Sequence, residues 1–132
     1  MSQKPRSTFV LTDHSEILEA LVGLKDVRVL SYERHALEAE LCVEQVLGPV
    51  TCPGCAAPAR VKERPVVHYI DLPVYGHPMR LLWKKHRVHC VNEHCATKSW
   101  VIGDHRIAAK NCLLTTRAAK WATRQVGTGR TV

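Results

Sequence analysis

Cys52-Pro53-Gly54-Cys55 and Cys90-Val91-Asn92-Glu93-His94-Cys95 are the two stretches on which the reading of this chain turns. A tight Cys-x-x-Cys turn lets two thiolates reach one ion while backbone amides point at the sulfurs, and two such pairs complete the four donors of a tetrahedral zinc site. Pro53 presets φ, and Gly54 is expected to supply a residue free to take φ > 0. The second pair has four intervening residues instead of two, and 34 residues separate the pairs. Neither length is an obstacle, because doubling a loop costs about 0.6 kcal/mol against an apparent ~10–16 kcal/mol for binding structural zinc. Cys52, Cys55, Cys90 and Cys95 are therefore the expected ligands of one structural Zn2+.

Other readings of the same residues stay open at this point. His89 and His94 flank the second pair, and either can replace a cysteine in a site of three thiolates and one imidazole. Iron in a rubredoxin-like four-thiolate site would make the chain an electron carrier. A thioredoxin-like redox pair needs its cysteines at the start of a helix after a strand, and the Pro-Gly order here is the reverse of the usual one. Cys42 reads as a small strand residue, and Cys112 falls outside the frame.

The 132 residues, 45% of them hydrophobic, suit one ordinary domain or two very small ones. Three Trp, three Tyr and one Phe permit only modest cores, a deficit that a structural metal offsets. Met1 to Arg6 are polar, and no apolar run approaches the ~18 residues of a membrane span or resembles a signal peptide. The expected compartment is a reducing cytoplasm, with nucleoid association, where six cysteines serve as metal ligands before they serve as disulfides. Charge is segregated. Residues 1–48 hold five Lys/Arg against eight Asp/Glu, and residues 49–132 hold fourteen against four. That asymmetry fits an anionic partner, nucleic acid before membrane, since no stretch offers a large apolar face to insert.

Asp13 with Glu16 resembles a capping box, and Ile17, Leu18, Leu21 and Leu24 follow at helical spacing, so a helix is expected over 14–23 with Gly23 helping to end it. Val27 to Glu33 and Leu37 to Val46 read as strands joined around Arg34-His35-Ala36; Leu37, Ala39, Leu41 and Val43 fall on one face and Glu38, Glu40 and Glu44 on the other. Gly48-Pro49 turns the chain into the first cysteine pair. Ala59 to Arg64 and Val66 to Leu72 read as strands interrupted by Pro65, and Pro73, Gly76 and Pro78 mark a turn before one extended run from Met79 to Cys90. Lys98 to Ile102 is a closing strand. Thr115-Thr116 is an N-cap for a helix through Val126 that Gly127-Thr128-Gly129 stops, with Arg117, Lys120 and Arg124 forming a basic stripe. Arg130-Thr131-Val132 resembles the start of another capped helix.

This order of features resembles one family. Besides the cysteine frame it includes Asp71-Leu72-Pro73 with a following Gly76, Pro78 and Arg80-Leu81, the stretch Trp100-Val-Ile-Gly-Asp-His-Arg-Ile107, and Leu114-Thr-Thr-Arg-Ala-Ala-Lys-Trp-Ala-Thr-Arg-Gln-Val-Gly127. Over roughly residues 10–132 the chain looks like the N-terminal region of bacterial insertion-sequence transposases of the ISL-three type. In that family a zinc finger precedes a helix-turn-helix and then a large RNase H-like catalytic domain. The resemblance implies that Cys52, Cys55, Cys90 and Cys95 are zinc ligands and that 117–126 opens a helix-turn-helix region. It implies binding to double-stranded DNA at transposon ends, together with self-association or contact with a full-length transposase. The chain stops before a complete recognition helix and before any catalytic domain, so the family's DNA cleavage and joining are not expected of it.

Nothing catalytic emerges from the residues themselves either, which contain no phosphate-binding Gly-rich loop, nucleophile elbow or His-Glu-x-x-His. Asp71, Glu93 and Asp104 show no recognisable partner pattern. The expected architecture is a small α+β protein, with antiparallel hairpins around a zinc-ribbon-like four-cysteine site, a short N-terminal helix and a basic C-terminal helix. Its expected divisions are an N-terminal helix and acidic hairpin platform (1–48), a zinc-ribbon-like domain (49–112) and the start of a helix-turn-helix region (113–132). Lys84, Lys85, Arg87, Arg117, Lys120 and Arg124 are the expected DNA contacts. A stand-alone zinc-ribbon adaptor for protein contacts is the rival function.

Overall fold

The computed structural model describes residues 13–127 and is α+β, with two helices and seven strands in two small sheets. Helix α1 (His14–Val22) starts where expected, with the Asp13 carboxylate accepting from the amides of Ser15 and Glu16, and ends at Gly23 in the left-handed region (φ 71°). Strands β1 (Val27–Arg34) and β2 (Ala39–Gln45) form the expected antiparallel hairpin. Alternation on β2 buries Ala39, Leu41, Val43 and Gln45. Leu37 departs from that pattern: it precedes the strand, in a loop closed by the His35 amide donating to the Glu38 carbonyl, and is 85% exposed.

Strands β3 (Ala59–Glu63), β4 (Val66–Val74), β5 (His77–Lys84), β6 (Arg87–Cys90) and β7 (Ser99–Val101) follow, then helix α2 (Thr116–Gly127). The run from Met79 to Cys90 is two strands, broken at Lys85-His86 and belonging to different sheets. The β4–β5 turn is Tyr75-Gly76, both at positive φ (49° and 80°), as a tight hairpin requires. Pro73 sits at a register shift and Pro78 precedes the first residue of β5 that pairs with β2, so neither missing N–H breaks a ladder between those central strands. α2 runs through Gly127; Arg130-Thr131-Val132 lies outside the described residues.

The first sheet has the order β1-β2-β5-β4, and its central pair, β2 with β5, is parallel. Antiparallel hairpins around the cysteines thus describe only the second sheet, β3-β6-β7. The insert between the cysteine pairs does not stay with them. Its β4 and β5 complete the sheet begun by β1 and β2, so the expected division at residue 48 runs through one sheet. One face of that sheet carries the core of Leu41, Val43, Tyr69, Leu81 and Trp83, capped by Ile107 and Ala108 from the segment before α2.

A buried polar knot fixes α2 to this core. Asp71, with its side chain fully buried, accepts from Thr115 Oγ1 at 2.7 Å and from Arg117 Nε and Nη2 at 2.9 and 2.7 Å. Thr115 Oγ1 also caps the helix by accepting from the Ala118 amide, and Arg117 Nη1 donates to the Val22 carbonyl at the end of α1. Residues 113–115 bond along β4 through Ile70, covering part of that edge. Burial alone would raise the Asp71 carboxyl, but the Arg117 guanidinium and the Thr115 hydroxyl outweigh it and hold its pKa below the usual value.

Replacing Asp71 by Ala strands a part-buried guanidinium and a buried hydroxyl, and is expected to cost about 3 kcal/mol or more in urea denaturation. Because the folded pKa is depressed, the contribution of Asp71 is fully present above the unfolded carboxylate value near 3.9 and is lost as pH falls through the lower folded value. The Asp71→Ala protein should therefore lose less stability than the wild type over that acid range.

Candidate metal centre

The first cysteine turn follows directly from local backbone bonds. The Ala56 amide donates to the Cys52 carbonyl and the Cys52 amide to the Ala57 carbonyl, so residues 52–57 fold back on themselves ahead of β3. Cys90 ends β6, where its amide donates to the Lys98 carbonyl at 2.7 Å. Asn92 then organises the longer second turn: its carbonyl accepts from the Cys95 amide and its side-chain oxygen from the His94 amide. Pairing of β3 with β6 sets Ala59 opposite Cys90 and so brings the two turns together.

All four sulfurs lie within 4.8 Å of one another. Cys52 Sγ is 3.6 Å from Cys95 Sγ, and Cys55 Sγ is 3.5 Å from Cys90 Sγ. Four sulfurs at ~2.3 Å from a central zinc would be separated by about 3.8 Å, so the set fits a tetrahedral ion with small adjustments. Amides of Gly54 and Asn92 donate to Cys52 and Cys90 sulfurs at 3.3 and 3.4 Å, the bonding that stabilises thiolates in such turns. Cys52 and Cys90 are buried, Cys95 is half-buried and Cys55 is exposed. These four can hold one metal ion. Neither His89 nor His94 belongs to this cluster.

The thiols differ sharply in acidity. Burial raises Cys52, yet the amides of Cys55 and Gly54, with Cys95 and Thr97, outweigh it and pull it down to about 6. The Asn92 amide favours ionised Cys90, but burial and the three neighbouring sulfurs push that thiol up to about 12. Negative charge on one sulfur suppresses it on the next, which a central dication reverses.

The constraint at Gly54 is a close approach and not a positive torsion angle. Positive φ in this turn falls on Ala56 (63°), whereas a Cβ on Gly54 would stand 2.4 Å from Thr97 Oγ1. A side chain at this position would have to displace the Thr97 hydroxyl.

The expected DNA-contacting cations divide in the structure. Arg117 is taken up by Asp71 and the Val22 carbonyl, which removes it from the stripe on α2. Lys85 Nζ lies over the Trp83 and Tyr69 rings, at 4.4 and 5.6 Å from their centroids. Arg87 Nε is 3.9 Å from the exposed Glu63 carboxylate. Lys120 and Arg124 are exposed beside a depression that also includes Cys112 and Leu114, and Lys84 is half-buried. Asp71 and Asp104 both have arginine partners that the sequence pattern did not reveal: Arg117, and Arg106 at 2.7 Å, which also reaches Asp26. For Asp104 the available signal was Arg106 two residues on; for Asp71 the sequence offered none, its partner lying 46 residues away.

Among the described residues no helix is long and apolar enough to cross a membrane. Comparison with protein-family models, with curated proteins and with solved structures gave no match.

Purified protein is expected to carry one metal ion per chain by elemental analysis. Serine at Cys52, Cys55, Cys90 or Cys95 should release it, whereas Cys42→Ser and Cys112→Ser should leave the content unchanged. Gly54→Ala should keep the ligands but weaken retention at least tenfold in chelator competition, since Thr97 must rotate away from the sulfurs.

Proposed function

We propose that this chain is a zinc-dependent DNA-binding module, the N-terminal portion of an insertion-sequence transposase that holds transposon-end DNA and performs no chemistry itself. The observation that carries the reading is a four-sulfur set that fills every tetrahedral position, in a chain whose residues 49–132 hold fourteen Lys/Arg against four Asp/Glu. An ion held by four protein sulfurs has no open position for water or substrate, so its role is structural. Four thiolates accept zinc or iron alike, and visible absorbance separates the two at once: ferric iron on four thiolates is coloured and zinc is not.

With Arg117 engaged by Asp71 and Lys85 held over the Trp83 and Tyr69 rings, the cations offered to DNA phosphates are Lys84, Arg87, Lys120 and Arg124. Such contacts position a duplex without reading its bases, so sequence discrimination should be small. The helix-turn-helix assignment makes α2 a supporting helix, anchored to the sheet through Asp71 and Thr115, with base recognition left to residues beyond it. A protein-adaptor role finds its support elsewhere, in an apolar groove of about 530 Å3 lined by Leu18, Leu21, Tyr32, Leu72 and Tyr75.

Titration of labelled duplex by anisotropy tests the reading. If about four phosphates are neutralised, affinity should fall roughly a hundredfold between ~50 and ~200 mM salt. Lys120→Gln/Arg124→Gln should reduce the salt slope without releasing zinc. Binding that ignores salt, or none at low salt with the metal site filled, would favour the adaptor. Incubation with a transposon end and magnesium should leave the DNA intact; nicking that persists through further purification would contradict the non-catalytic role.

A further inference from the structure

The parallel pairing of β2 with β5 builds a row of side chains that neither segment possesses alone. Arg28 on β1 stands opposite Glu44 on β2, and Glu44 stands opposite Lys84 on β5. Arg64, one residue past β3, reaches the same place, with its Nε 3.5 Å from Glu44 Oε2. Together with Gln45, Val46 and Leu47, these residues line an open depression of about 520 Å3. Glu44 is its single carboxylate, and it is shared between Arg64 and the buried His86, whose Nε2 lies 3.2 Å from the same oxygen. Among the described residues no hydrogen bond or ion pair occupies the side chains of Arg28 or Lys84. Two cations without partners thus face a space whose only negative group is already committed.

We propose that this depression takes one backbone phosphate of a nucleic acid, with Arg28 and Lys84 on its oxygens and Arg64 braced beside them by Glu44. The proposal rests on the DNA-binding reading above and deepens it, because it recruits a cation from the net-acidic first third into the binding surface. Arg28 presents a planar fork of donors that matches phosphate oxygens, and Lys84 adds a point charge. A free phosphate ion offers the same chemistry. The depression is open and lies at the end of a sheet face, a shape that lets a phosphodiester chain enter and leave, whereas it gives little enclosure to a small ion.

The test uses the full zinc-loaded chain, labelled duplex and a salt series. Arg28→Gln and Lys84→Gln should each lower the salt slope by about 0.9. Glu44→Gln removes the one carboxylate and should strengthen binding severalfold at low salt, an effect that misfolding cannot mimic. Unchanged slopes in Arg28→Gln and Lys84→Gln, with a lowered slope in Lys120→Gln/Arg124→Gln, would overturn this site while leaving the DNA-binding reading intact. A wild-type chain that ignores duplex, yet shows Arg28 side-chain resonance shifts with inorganic phosphate, would overturn both and assign the depression to a free anion.

Discussion

Four sulfur atoms held within 4.8 Å of one another cannot all carry negative charge unless a cation sits among them, and the rest of this fold is organised around that constraint. The cluster joins the turn before β3 to the end of β6 across a long insert. The insert is not a passive loop: it crosses to the neighbouring sheet, supplies β4 and β5 there, and returns through Lys85-His86 into β6. Metal site and hydrophobic core are therefore consecutive along one chain. Trp83 and Leu81, fully buried in the core, are separated from Cys90 only by the pivot and β6. His86, buried at the pivot, is bonded to Glu44 of β2, which links the two sheets a second time.

The Asp71 knot performs for α2 what the sulfurs perform for the second sheet. One carboxylate organises a strand, a helix cap and the end of α1 through Thr115 and Arg117. The helix start is thus held by the protein interior, leaving its later cations, Lys120 and Arg124, toward solvent. Functionally this separates the roles of residues that the sequence presents as a single basic stripe.

Local features were legible because their causes are local. The Asp13 cap, the Gly23 terminus and the alternation of Ala39, Leu41 and Val43 each depend on residues within a few positions. The cysteine frame was legible because its chemistry admits few alternatives at that spacing. What escaped depends on tertiary pairing. A period of two tells which face of β2 is buried but not that its neighbour is β5 in parallel, and no turn punctuates Met79 to Cys90 although it spans two sheets. Helical spacing set Arg117 in line with Lys120 and Arg124, but the first turn of α2 faces Asp71, a partner 46 residues away. Gly54 was identified by its backbone freedom, whereas what the structure shows there is the nearness of the Thr97 hydroxyl, visible only once the second turn is in place.

X-ray absorption at the zinc edge of protein purified without added metal addresses the central claim most directly, because it reads element, donor type and donor number together. The account predicts a single shell of four sulfurs at about 2.3 Å. A mixed nitrogen and sulfur shell, or a folded chain with no zinc and four freely titrating thiols at these positions, would contradict it.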